Sequence, residues 1–207
     1  GVNPTLRAQI ATGRLQNFGY FNGKVTEDVV YNKQNPKKAK VNYTITLNEP
    51  YTYDSIEYRH FPAGADSLIK ATENDCRLVV GEQFSVPNLT GERNRLNTLL
   101  RNNGYYYYQP GFINFLADTI NRPGFASIRI EPVKELPAQA NDIRRIGNIT
   151  IRVLNNETGS TTMPREKADT LKRENFSYIY YGEKIPVKVG ALLRNIQIRK
   201  GELYSQE

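Results

Sequence analysis

Cys76 and His60 are the single cysteine and the single histidine of the chain. A thiol or hydroxyl nucleophile needs a base within hydrogen-bond reach, and a metal needs several His, Cys or carboxylate ligands at ligating spacing. Cys76, between Asp75 and Arg77 and far from the one histidine, is read as a small structural residue. A lone cysteine also excludes an internal disulfide framework. His60 is equally isolated, and the chain carries no glycine-rich phosphate loop and no nucleophile–base pair. The sequence therefore predicts a protein that is not an enzyme and uses no metal or cofactor.

Aromatic and cationic residues offer a second kind of chemistry. Tyr105–Tyr108 form an unbroken run close to Arg95 and Arg101. Bases of single-stranded nucleic acid stack on such rings, but no RNP-like or GXXG signature accompanies them. The run is read instead as aromatics anchoring the entrance to a strand, half packed on the core and half exposed. Over 207 residues, 28 Lys and Arg stand against 21 Asp and Glu, a net charge of +7 with a pI near 9.4. That balance permits nucleic acid, anionic lipid or acidic protein partners without choosing among them.

The elements that must position these residues are organised around Gly81–Pro132. Ser85 is a good N-cap and Pro87 suits a first helical turn. Leu89, Leu96, Leu99 and Leu100 recur at helical spacing, and Glu92, Arg93, Arg95 and Arg101 are assigned to the other side. Gly104 stops the helix. An apolar run, Phe112–Ala117, and the alternating segment Ala126–Glu131 then read as two strands of a hairpin.

Residues 3–48 repeat this logic. Leu6, Ile10, Ala11, Leu15 and Phe18 form a stripe, Gly19 stops the helix, and Lys24–Tyr31 is a strand. A polar turn follows, and then Ala39, Val41, Tyr43, Ile45 and Leu47 alternate with polar neighbours. In the middle, Asp54–Arg59 reads as an opening strand and Ala65–Asn74 as a short helix capped near Asp66. Further on, Ile149, Ile151 and Val153 alternate, Phe176–Tyr181 has strand character, and Leu192, Leu193 and Ile196 suit a short helix. Gly201–Ser205 (GELYS) echoes Gly81–Ser85 (GEQFS). The expected organisation is half a unit at 1–49, a whole unit at 50–132 and a linker at 133–145. The third segment, 146–207, is an opening half unit with an insertion at about 155–184. The terminal sheets should then have unfilled positions, or borrow strands, with Phe176–Tyr181 the internal candidate. No run reaches the roughly 18 apolar residues of a spanning helix, and no signal peptide opens the sequence.

Three stretches carry a family resemblance: GEQFSVPNLTGERNRLNTLLRNNGYYYYQPGFINFLADT at Gly81–Thr119, IGNITIRV at Ile146–Val153 and LLRNIQIRKGELYS at Leu192–Ser205. They resemble the POTRA domains of BamA/TamA-like outer-membrane assembly proteins, the surface-antigen family of Gram-negative bacteria. The resemblance implies an α+β fold of tandem POTRA-type β-α-α-β-β units, each a three-stranded mixed sheet covered by two helices. It implies a periplasmic location and a membrane barrel elsewhere in the parent chain. The partners implied are unfolded outer-membrane or translocated proteins, that barrel, and accessory periplasmic proteins or anionic lipid, with no nucleic acid. The strand Phe112, Ile113, Asn114, Phe115, Leu116, Ala117, Asp118 and Thr119 is then expected at a sheet edge, where a client polypeptide would add as a further strand. Two other readings stay open: a scaffold that docks accessory subunits, and a basic nucleic-acid-binding α/β repeat.

Overall fold

The computed structural model describes residues 3–35, 37–153, 168–173, 176–181, 188–194 and 196–206. Helix α1 (Pro4–Gln16) starts where the Asn3 side chain accepts a hydrogen bond from the Leu6 amide at 3.1 Å, and strands β1 (Lys24–Tyr31) and β2 (Ala39–Thr46) follow as an antiparallel pair. The middle repeat is β3 (Thr52–Tyr58), α2 (Ala63–Ala71), α3 (Val86–Asn102), β4 (Ile113–Asp118) and β5 (Phe125–Pro132). Its sheet order is β3-β5-β4, with β3 parallel and β4 antiparallel to β5. This is the mixed three-stranded sheet of a POTRA-type unit.

The core of the middle repeat is what the periodicity selects. Ile69 of α2, Leu96 and Leu100 of α3, Ile113 of β4 and Ala126, Ile128 and Ile130 of β5 are all buried. Each large side chain among them stabilises the fold by roughly 1.5–3 kcal/mol through apolar burial. Ser85 caps α3, its hydroxyl accepting from the Asn88 amide at 3.3 Å.

Local expectations are corrected at three places. Helix α2 starts at Ala63 rather than Ala65, behind Pro62 and without a side-chain cap. Asp66 lies in its first turn and pairs with Lys70 at 2.7 Å, one helical turn on. Glu92 does not join the solvated face of α3 but is fully buried. Spaced by four, Glu92, Leu96 and Leu100 share one face. Tyr105–Tyr108 forms a turn rather than a strand entrance, so burial runs in, out, out, in instead of alternating.

Two compact units are formed, one of residues 1–100 with 108–137 and the other of 101–107 with 138–207. The same set of backbone bonds is built inside each. In the first, Gly19 O accepts from Tyr51 N at 2.9 Å, Phe84 N donates to Tyr51 O at 2.8 Å, Tyr53 N to Glu82 O at 2.9 Å and Gly81 N to Tyr53 O at 2.8 Å. In the second, Gly104 O accepts from Arg144 N at 2.7 Å, Tyr204 N donates to Arg144 O at 3.0 Å, Ile146 N to Glu202 O at 2.8 Å and Gly201 N to Ile146 O at 2.8 Å. The matched GE-x-aromatic-Ser segments therefore do matched work. Gly19 and Gly104, at φ +82° and +94°, also lack room for a side chain: a Cβ on Gly104 would lie 2.8 Å from Ile143.

In the second unit, β6 (Ile149–Val153), β7 (Ala168–Arg173) and β8 (Phe176–Tyr181) form a sheet of order β6-β8-β7, parallel then antiparallel. Phe176–Tyr181 thus fills the place beside β6 that β5 fills beside β3. A short helix, α4 (Val189–Arg194), follows. Residues 155–167, 174–175 and 182–184 of the expected insertion, and the side chains of Leu192 and Leu193, lie outside the described residues.

Candidate functional site

A strand at the end of a sheet leaves one row of backbone groups unpaired, and the hydrogen-bond parity of β5 shows which row that is. Val133 N donates to Phe112 O at 3.0 Å, so the odd-numbered residues of this segment direct their amides towards β4. Arg59 N donates to Ile130 O at 2.9 Å, so the even-numbered ones face β3. With Asn114 opposite Glu131 and Leu116 opposite Arg129, the alternation of an antiparallel ladder makes Asn114, Leu116 and Asp118 the inward-bonded residues of β4. Ile113, Phe115 and Ala117 turn their N–H and C=O groups outward.

The outward row is closed at its first residue. Ile113 N donates to Pro110 O, and Ile113 O accepts from Arg93 Nε at 3.2 Å. The Arg93 guanidinium also lies 5.0 Å from the centre of the Phe115 ring. Among the described residues four backbone groups of the row remain unpaired, the N–H and C=O of Phe115 and Ala117. Beyond them, Asp118 folds its carboxylate back on the chain, accepting from Ile120 N at 2.9 Å and Asn121 N at 3.2 Å. Those amide bonds hold the Asp118 carboxyl below the usual aspartate range.

Eight residues, Phe112–Thr119, were the expected edge strand. Six of them form it, as Ile113–Asp118. Phe112 belongs to a 3-10 turn opened by Pro110, whose fixed φ starts such a turn. Thr119 lies past the strand end, where Asp118 caps the next turn. Of the strand residues, Ile113 is buried, Asn114 and Phe115 are half-buried, and Leu116, Ala117 and Asp118 are exposed. Arg93 is the residue that sequence reasoning did not assign to this place. Its position on α3 shows its face of the helix, but nothing in the sequence shows that this face lies against the start of β4.

The opposite edge differs. The first half of β3 is covered by Gly81–Phe84 through the bonds at Tyr51 and Tyr53. Arg59 N bonds inward, so by the same alternation only Ile56 and Tyr58 are left facing out. This half is flanked by Glu57, Arg59, Lys70 and Glu73. Charges along an edge are a common means of discouraging strand pairing, whereas Ile113–Ala117 carries none.

Glu92 anchors the interior behind the sheet. Its carboxylate accepts from Tyr58 OH at 2.7 Å, Arg77 N at 2.9 Å and the Arg95 guanidinium at 2.7 and 2.9 Å. Burial pushes the Tyr58 hydroxyl up, and its bonds to Cys76 and Glu92 push it the same way. Burial also raises the Cys76 thiol, although its hydrogen bonds with Tyr58 and the Leu78 amide act the other way. These groups hold β3 to α3.

The middle repeat thus has a POTRA-type topology with one partly open edge. Comparisons with solved structures return matches at low identity and low TM-score. POTRA domains 3–5 of BamA from Haemophilus influenzae match at 12% identity and a TM-score of 0.41, covering 84% of this chain and 78% of that one. POTRA domains 1–3 of the periplasmic domain of Omp85 from Anabaena match at 12% identity and a TM-score of 0.30, covering 95% and 64%. The N-terminal domain of Omp85 from Thermosynechococcus elongatus matches at 11% identity and a TM-score of 0.30, covering 86% and 84%. No family model and no curated protein matches the sequence.

Proposed function

We propose that this chain is part of a periplasmic POTRA array of an outer-membrane assembly or translocation factor. It receives unfolded outer-membrane or translocated polypeptides by strand addition at β4 and positions them for a membrane barrel of the same parent protein. Binding involves no covalent chemistry and no cofactor. The observation that carries the reading is the outward row of Phe115 and Ala117, two apolar residues of the edge strand whose amides and carbonyls are unpaired among the described residues. Main-chain bonds of this kind make little demand on sequence, which suits clients that share extended structure and little else. The net charge of +7 suits association with acidic client segments or anionic headgroups and makes it salt-sensitive.

The test is titration of an unfolded barrel-protein peptide into the wild-type chain and three variants whose folding is checked by circular dichroism. Phe115→Pro removes an outward donor and places a ring in the path of the incoming strand. It should lose most of the affinity. Phe115→Ala should bind within a few-fold of wild type, and Ile56→Pro, which alters the other edge, should bind normally. Undiminished binding by Phe115→Pro would overturn the reading and favour a scaffold that docks accessory subunits.

A further inference from the structure

The open row of β4 lies between unlike charges. At the Ile113 end stands Arg93, with Nε bonded to the Ile113 carbonyl and its face against the Phe115 ring. Among the described residues its two terminal nitrogens have no partner, so they are available to a chain arriving alongside. At the other end stands Asp118, exposed, its carboxyl held below the usual aspartate range by two backbone amides. The strand between them spans six residues, Ile113–Asp118, or roughly 17 Å at the rise of an extended chain.

Resting on the strand-addition reading, we propose that Arg93 and Asp118 set the direction of the added strand. An extended peptide with a basic group towards its N-terminal end and an acidic group towards its C-terminal end then runs antiparallel to β4. The direction follows from geometry. A strand laid antiparallel beside β4 brings its C-terminal end to Ile113 and its N-terminal end to Asp118. Carboxylate then meets guanidinium, and ammonium meets carboxylate. A parallel strand with the same charge order places like charges together at both ends. The chemistry at the Arg93 end is specific, because a planar guanidinium held by Nε still offers two N–H donors to one carboxylate. Arg93 acts here as an orienting residue, while the backbone of Phe115 and Ala117 supplies the binding.

Two peptides of identical composition test this. Each has four residues of alternating valine and threonine between its end positions, acetylated and amidated so that the termini are uncharged. One begins with lysine and ends with glutamate; the other has the two exchanged. Neither composition nor hydrophobicity separates them; only their charge order does. Binding is followed by isothermal titration calorimetry at low salt. To register direction, a second pair carries a nitroxide at the C-terminal end, and paramagnetic broadening of the Ile113 and Asp118 amides is compared.

On the wild-type chain the C-terminal nitroxide of the lysine-first peptide should broaden Ile113, and that of the glutamate-first peptide should broaden Asp118. For each peptide the favoured direction should exceed the other by about two- to fivefold for each exposed pair, the range of surface ion pairs. Arg93→Lys should keep the directional preference, Arg93→Gln should reduce it, and Arg93→Glu should abolish it. Folding of each variant is confirmed by circular dichroism, and Arg93→Gln decides if Arg93→Glu fails to fold. The same direction for both peptides on the wild type, broadening of Asp118 rather than Ile113 by the lysine-first peptide, or an unchanged preference in Arg93→Gln would each overturn the proposal. Phe115→Pro separates the two levels. If it binds both peptides as the wild type does, strand addition itself fails. If it loses both while the Arg93 variants change nothing, only the orienting role fails.

Discussion

The first and middle repeats share a helix, a glycine stop and a hairpin, yet their hairpins differ in burial. Val25 and Ile113 are the buried opening residues of the two hairpins, opposite Ile45 and Pro132. Counting from these pairs, Tyr43 corresponds to Ile130, Val41 to Ile128 and Ala39 to Ala126. The middle residues are buried, whereas Tyr43 is 42% and Ile130 0% exposed. Leu6 and Ile10 of α1 are also about half exposed, at 51% and 52%. What the middle hairpin has and the first lacks among the described residues is a parallel strand and a second helix, the roles of β3 and α2. An alternating pattern therefore specifies a face that is able to be buried; a neighbour has to bury it.

The comparison is broken most severely at Glu92, which joins Tyr58 of β3 and Arg77 to α3. Helix α1 has no acidic residue to do the same. Glu92→Ala should cost about 3–5 kcal/mol in chemical denaturation, because it leaves the Arg95 charge without its buried partner. Next come the matched leucines. Leu100→Ala should cost about 2–5 kcal/mol, and Leu15→Ala, at a half-buried position, distinctly less. The hairpins should separate in the same way: Ile130→Ala falls in that core range, while Tyr43→Ser stays within about 0.5 kcal/mol, as surface changes do.

The smallest effect is at Asp118. Its carboxyl lies below the ordinary aspartate range in the folded chain, so its contribution is present above the unfolded value. It is lost as the pH falls through the lower folded value. Asp118→Asn should therefore lower neutral stability slightly and flatten the acid limb of the stability–pH curve to the same extent. An equal acid limb in both proteins would show that the Ile120 and Asn121 amides do not hold this carboxylate.

The sequence is most informative where a local rule coincides with packing. Gly19 and Gly104 end helices at positive φ, and Ile128 and Ile130 are buried as alternation requires. It misleads where charge is taken for exposure. Glu92 lies on the leucine face, and only its tertiary partners, Tyr58, Arg77 and Arg95, make that tolerable. Four consecutive tyrosines suggest a strand by composition, but Tyr105–Tyr108 turns because the chain must leave α3 at Gly104 and reach Pro110. At the edge, the apolar run Phe112–Ala117 marks the strand. Which amides face out depends on register against β5, and register is set by pairing that no single strand encodes.

The most direct measurement is amide hydrogen exchange at Asn114, Phe115, Leu116 and Ala117, read by NMR with and without a saturating unfolded client peptide. In the free chain, Phe115 and Ala117 should exchange fast beside the protected Asn114 and Leu116. Strand addition predicts that the peptide slows Phe115 and Ala117 by at least about tenfold and changes Asn114 and Leu116 little. Saturated binding that leaves Phe115 and Ala117 exchanging as fast as before would contradict the account.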